Sequence, residues 1–502
     1  MDFSSVPFVL VFLPIFFCLY LLARPSFRFA LVLIASVFFL VAGQWIALPW
    51  LVGLGLVNYG IGRVIASRLE SKKKVTAWLW SGIGLNLGFL LAFKLLVTYQ
   101  IKPTVLGGLP INTAVLPLGL SYFTFQVIAY LVDVAQENIP VEKNLLRFLS
   151  YILFFPKLAA GPITQYQDFA SQVGSLNPSE KDVLSGLGRV IAGEIKRLFI
   201  ANPLGVFAAA AFTRAHPNYE PYLAWLALLA SLMQIYFDFS AYTDIAIGLG
   251  KMIGVRLPEN FNYPFISQSL SEYWRRWHMT LIGWLREYVF YPLERHRLNF
   301  FGQQVNLLVI FLLTGLWHGP TLNYIVWGLL QGLAIVFEST PAGKWWLGKA
   351  WRPLRHLVTL LVILFSWAFF RSASLPYAFE FLRRLAGDRS GLDLPSGNSH
   401  PPVFGPVQLI ALLVALVFSL PVKNLIQAWL GKLGQLGRVG PLRGCFAKTL
   451  PYFTEALKRG AAFFWERKRW WLVPMVVVMV SFGVIVLLSE SAAPARFIYA
   501  GF

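Results

Sequence analysis

Apolar residues fall in long unbroken runs along this chain, separated by short stretches that carry most of the charge. Runs of about 16–22 residues match the bilayer core, which a helix of about 20 residues crosses. The candidate crossings are residues 7–23, 29–47, 49–66, 77–98, 114–134, 145–160, 186–212, 221–250, 280–293, 304–317, 321–338, 356–372, 406–422 and 470–489. Those at 145–160, 280–293 and 304–317 are short or polar for a crossing. They read as re-entrant or interfacial pieces, which a polar-lined cavity permits. The expectation is an all-α polytopic membrane protein with about ten to twelve crossings in a single domain spanning residues 1–502. A β-barrel would alternate apolar and polar residues, and these runs are apolar throughout.

Composition agrees: 57% of the 502 residues are apolar and only 13% charged, against about one quarter charged in soluble domains. Forty-three Lys and Arg against 23 Asp and Glu leave a net +20. In a soluble protein that balance would suggest nucleic acid. Here the positive-inside rule and anionic lipid headgroups account for it, so membrane lipids are the expected contacts and nucleic acid is not. Arg24 and Arg28 follow the first run, the 43–49 loop is uncharged, and Arg63, Arg68, Lys72, Lys73 and Lys74 follow the third. This alternation puts the N-terminus outside and the 63–75 and 136–147 loops in the cytoplasm. Met1-Asp2-Phe3 lacks the basic start of a signal peptide, so the first run reads as a retained span.

Several chemistries are excluded. Cys18 and Cys445 lie far apart and give no disulfide framework. The six histidines contain no pair spaced to put two ligands on one helix face, so no metal site is expected. No Walker phosphate loop is present.

Residues 271–297 carry Trp274, Trp277, Leu281, Trp284, Leu285 and Tyr288 at three- and four-residue steps, with Arg275, Arg276, Arg286 and Glu287 off the stripe. That pattern predicts an amphipathic interfacial helix. Residues 385–405, rich in Gly, Pro, Ser and Asp, read as an extramembrane loop, and the basic 430–468 stretch as holding an interfacial helix.

Ionisable groups within apolar runs are functional candidates by default. His318, in Gly315-Leu316-Trp317-His318-Gly319, lies between the runs at 306–314 and 324–336. Its glycines admit a substrate or another backbone, Trp317 offers a rigid wall, and Asn323 is a nearby polar group. A neutral imidazole there can take a proton from a hydroxyl as it attacks an acyl carbonyl; a histidine merely bonded between helices fits the same sequence. His278 ends Trp274-Arg275-Arg276-Trp277-His278, and a helix would set Arg275 on its face. This basic group suits either an anionic acyl donor or lipid headgroups. Asp238 and Asp244, six residues apart in an apolar run, point in different directions on a helix, and the favoured reading is helix–helix pairing with Arg or hydroxyl groups. Lys157, between Phe155-Pro156 and Gly161-Pro162, sits in an expected re-entrant turn.

Taken in order, Pro117-Leu118-Gly119-Leu120-Ser121-Tyr122-Phe123-Thr124-Phe125-Gln126, Phe155-Pro156 with Gly161-Pro162, residues 234–244, and Leu257-Pro258-Glu259-Asn260-Phe261-Asn262-Tyr263-Pro264 form one series. It continues through Trp274–His278 with Trp284-Leu285-Arg286-Glu287-Tyr288 and ends at Gly315–Gly319. In this series the chain resembles the membrane-bound O-acyltransferases, in the bacterial branch that holds alginate O-acetyltransferase membrane subunits and teichoic acid D-alanyl transfer proteins. The resemblance implies a ring of helices around a thin waist, with the donor entering from the cytoplasm and the acceptor from outside. It matches His318 to the family's catalytic histidine and His278 to its second, cytoplasmic-side histidine. The motif-bearing core is 115–340, and a helical extension over 356–502 favours the alginate-type branch. The implied activity moves an acetyl group from acetyl-CoA or an acyl-carrier thioester, with no bound cofactor. An extracytoplasmic partner of the SGNH-hydrolase type would pass it to an exported or cell-wall polysaccharide. The setting is the bacterial cytoplasmic membrane. D-alanyl transfer toward teichoic acid and a non-enzymatic transporter remain alternatives. Two positions depart from the branch. Gln331 stands where many alginate-type members have histidine, and Glu294-Arg295-His296-Arg297 replaces the usual glycines.

Overall fold

The computed structural model describes residues 3, 5–99, 116–174, 176–214, 216–296, 302–390, 392 and 402–422. The expected span at 470–489, the interfacial helix within 430–468 and most of the C-terminal extension lie outside the described residues. Among the described residues every regular element is helical. The main ones are α1 (Pro7–Leu22), α2 (Pro25–Gln44), α3 (Ala47–Glu70), α4 (Thr76–Thr98), α5 (Leu120–Ala135), α6 (Leu145–Leu153), α7 (Glu180–Phe212) and α8 (Pro221–Ile253). They continue as α9 (Leu270–Trp274), α10 (Met279–Leu285), α11 (Gly302–His318), α12 (Leu322–Ser339), α13 (Arg352–Arg371), α14 (Leu375–Leu385) and α15 (Pro406–Phe418). Seven of these are long and apolar enough to cross a membrane unaided, and α1, α5 and α15 are shorter apolar helices. The chain is a multi-pass membrane protein.

Helix α8 is the axis. Its apolar window is 83% buried, whereas the windows of the other spans are 28–44% buried and give the rest of their surface to lipid. Helix α7 packs along α8 on small residues: a Cβ on Gly186 would stand 2.6 Å from the Gly248 carbonyl oxygen. Close backbone approach of this kind drives helix association where lipid removes the hydrophobic incentive.

Hydrogen bonds between turns fix the two ends of the bundle. Tyr99, just past α4, donates to the Pro320 carbonyl (3.2 Å), so the turn after His318 lies at the end of α4 far from Lys72–Lys74. Asn323 ties the same turn to Ser372 after α13 (2.7 Å). At the start of α13, Arg355 bonds Gln268 (3.0 Å) and His356 bonds the Ser267 carbonyl (2.9 Å). Twenty residues of helix span about 30 Å, so the 260–278 segment and the His318 turn approach the middle from opposite ends.

The sequence pattern misplaces one element. The predicted helix over 271–297 is broken: α9 ends at Trp274, and His278 takes a left-handed backbone (φ 46°) before α10 begins. Apolar spacing survives the break, which is why the pattern does not reveal it. The 145–160 run, expected as a re-entrant piece broken by Pro and Gly, consists of α6 and a short turn of helix at Phe155–Leu158.

Candidate active site

His318 is the last residue of α11, and glycines decide where it sits. A Cβ on Gly315 would lie 2.3 Å from the Tyr324 carbonyl oxygen, and one on Gly328 2.4 Å from that of Phe311. These glycines therefore serve the close crossing of α11 and α12. The approaching backbone is the neighbouring helix, not a ligand. His318 is 8% exposed and enclosed by aromatic rings: Trp317 (centroids 4.6 Å), Phe370 (4.8 Å), Trp327 (5.3 Å) and Tyr324 (5.9 Å).

His278 is 2% exposed and reaches the same centre from the other end. Phe239 of α8 stands edge-on to it (4.8 Å) and Tyr122 of α5 lies over it (6.4 Å). The Trp317 ring is 6.1 Å from His278, so one indole packs against both imidazoles. Asn260 holds His278 in place. Its Oδ1 accepts from His278 Nδ1 (3.2 Å) and from the Thr280 amide (3.1 Å) and hydroxyl (3.0 Å), capping the restart of the helix. With Nδ1 donating, the lone pair of His278 sits on Nε2, which has no hydrogen-bond partner.

The other sequence candidates divide. Trp317 is in the site. Asn323 is spent on the Ser372 carbonyl. Arg275 is exposed and Arg276 is engaged with Glu272 (2.9 Å) and the Asn262 carbonyl (3.1 Å), so neither shares a face with His278. The helix break turns His278 inward and leaves the arginines outside. Asp238 faces Arg197 (3.4 Å), and Asp244 is held by Arg189 (2.8 Å) and Lys196 (2.6 Å), all three cations being on α7. Lys157 donates to Thr164 (2.6 Å) within its turn. Among the described residues no group of three or more His, Cys, Asp or Glu side chains is placed to hold a metal.

Two residues were not singled out for the site from the sequence. Lys94 of α4 is 7% exposed, and its ammonium donates to the Trp317 carbonyl and stands 3.5 Å from that of His318. These carbonyls end α11 and lack helical partners, so a cation there is well placed. The signal was available: Lys94 is a lysine inside an apolar run. Gln331, noted only as a departure, lines a small cavity with His318, Tyr273, Trp274 and Trp277. It accepts from Trp274 Nε1 (3.0 Å) and donates to Ser366 (2.7 Å), so its amide joins α9, α12 and α13.

The motif regions that resemble one family are thus folded around one centre, and comparison with known proteins agrees. The membrane-bound O-acyltransferase family model matches residues 121–340, and a family of unknown function (DUF5989) matches 455–502. A probable alginate O-acetylase of Pseudomonas putida is 36% identical over 389 residues, covering 75% of this chain and 79% of its own length. A peptidoglycan O-acetyltransferase of Helicobacter pylori is 32% identical over 421 residues, 77% of this chain and 80% of its own. A teichoic acid D-alanyltransferase of Bacillus subtilis is 29% identical over 268 residues, 50% of this chain and 66% of its own. With that identity spread over three quarters of its length, and with both motif histidines packed on one tryptophan, the chain belongs to the membrane-bound O-acyltransferase family.

Proposed function

We propose that this enzyme moves an acetyl group from a cytoplasmic thioester, acetyl-CoA or an acyl-carrier protein, across the cytoplasmic membrane of a bacterium for O-acetylation of an exported or cell-wall polysaccharide. The observation that carries the reading is the pair of buried histidines on one indole, approached from opposite ends of the bundle. The donor arrives at the basic, His278 end and the acceptor at the His318 end. His318 takes the proton of the attacking hydroxyl as its oxygen bonds to the thioester carbonyl carbon. Collapse of the tetrahedral adduct breaks the C–S bond, and the departing sulfur takes up a proton. His278, fixed by Asn260, borders the donor path. An SGNH-type partner outside the membrane then delivers the acetyl group to the glycan. The whole chain acts as one membrane domain in this reading, with residues 115–340 carrying the motifs. The relatives named as O-acetylases match about three quarters of this chain, whereas the D-alanyltransferase matches half. D-alanyl transfer toward teichoic acid is the second reading, supported by that shorter match.

The test is the ester content of surface glycans in a deletion strain carrying wild type or His318→Ala at equal membrane levels. Wild type should restore acetyl esters and His318→Ala should not. Full restoration by His318→Ala removes the general base from the reading. A deletion that changes only D-alanyl esters selects the second reading.

A further inference from the structure

Behind the aromatic wall of His318 lies a second cavity of about 250 Å³, lined by Gln234, Thr321, Tyr324, Trp367, Phe370 and Arg371 among others. Tyr324 and Phe370 are shared: each packs on the His318 ring and also lines this cavity. The cavity lies at the end of α13 marked by the Asn323–Ser372 bond, which is the acceptor's end of the bundle.

Arg371 is the unusual member. It ends α13, and its Nε is buried without a hydrogen-bond partner. Its guanidinium carbon stands 5.6 Å from the centroid of the Phe212 ring, and among the described residues no carboxylate pairs with it. Glu380, on the neighbouring α14, is engaged by His216 (3.0 Å). A guanidinium held this way keeps its hydrogen-bonding fork for a ligand. The other lining residues are uncharged. Arg371 is the single cation among the described residues lining the cavity and balances a single negative charge, so a carboxylate fits better than a dianionic phosphate. Gln234 and Thr321 add neutral groups suited to hydroxyls.

The geometry points to an acceptor subsite in which Arg371 binds a carboxylate carried close to the hydroxyl that takes the acyl group. It rests on the proposed entry of the acceptor at the His318 end. The subsite selects acidic acceptors over neutral ones of the same shape, and Arg371 is its specificity-determining residue.

The test compares N-acetyl-L-serine with its uncharged isostere N-acetyl-L-serinamide, each titrated by calorimetry into the full-length protein in detergent without donor. The acid should bind about tenfold or more tighter, the scale of one charge-assisted hydrogen bond. Arg371→Gln should abolish the preference and Arg371→Lys should keep part of it. Equal binding of the two probes by wild type, no binding of the acid, or an unchanged preference in Arg371→Gln overturns the subsite. The wild-type comparison stands even if a variant does not fold. Binding is read without turnover, so an enzyme that binds the acid but makes no acyl product under any donor would sink the proposed function while leaving the subsite intact.

Discussion

Lys94→Met tests how the end of α11 is held. The substitution keeps an apolar stem of similar length and removes the ammonium that donates to the Trp317 carbonyl and lies 3.5 Å from that of His318. Two carbonyls at the helix end then lose their donor in a buried site. A hydrogen bond from a charged group contributes about 1.5–3 kcal/mol net, and an unsatisfied buried carbonyl costs about 1–3 kcal/mol. The cation's interaction with the helix C-terminus adds up to about 2 kcal/mol in a partly buried geometry. Against these stands the cost of burying an ammonium, which methionine removes. The net expectation is a local loss of about 2–3 kcal/mol, concentrated where the His318 backbone is set. With His318 as the proposed general base, a shift of its unbraced imidazole by about 1 Å lowers turnover roughly 100-fold, equivalent to about 2.7 kcal/mol of barrier. The assay is acyl transfer from a labelled thioester by purified protein in liposomes, with kcat and KM for the donor measured separately. Lys94→Met should lower kcat about 100-fold with donor KM little changed, and Lys94→Arg should recover part of it. Turnover by Lys94→Met within about twofold of wild type would refute the reasoning, because the ammonium would then not be holding the His318 turn in the place turnover needs.

Three further outcomes follow from the packing. Gly315→Ala sets a Cβ 2.3 Å from the Tyr324 carbonyl oxygen, a backbone atom that cannot rotate away; overpacking of this kind costs about 1–3 kcal/mol, and a lowered Tm with lost activity should follow. Asn260→Ala releases His278 and the start of α10, so stability should fall by about 1–3 kcal/mol and kcat with it; unchanged kcat at equal expression would show that the orientation of His278 is irrelevant to turnover. Gln331→Leu strands the Trp274 indole N–H and leaves the Ser366 hydroxyl with only its bond to the Ile363 carbonyl, and denaturation should show a loss of about 1–3 kcal/mol, whereas Gln331→His, which keeps polar atoms at that position, should cost less.

The candidate centre was legible in the sequence where ionisable groups sit in apolar runs. His318 and His278 announce themselves because each is expensive at its depth, and the ordered motifs around them name the family. Lys94 belongs to the same class, and the same cost argument applies to it. Pairing Arg275 with His278 on one face requires an unbroken helix. The Trp and Leu spacing continues through a break made by Asn260, which is 18 residues away in sequence and caps the restart of the helix through Thr280.

The sequence by itself determined the solvent of each segment. A run of apolar residues long enough for the bilayer is favoured there whatever its neighbours do, so the all-α membrane class follows from local composition. Partners are different. That Asp244 meets Arg189 and Lys196, that Gly315 admits the α12 backbone, and that Lys94 closes the end of α11 were decided by tertiary packing alone. Each of these contacts joins groups from separate helices, and in lipid it is the need to satisfy buried polar atoms and the fit of small residues that selects which helices meet.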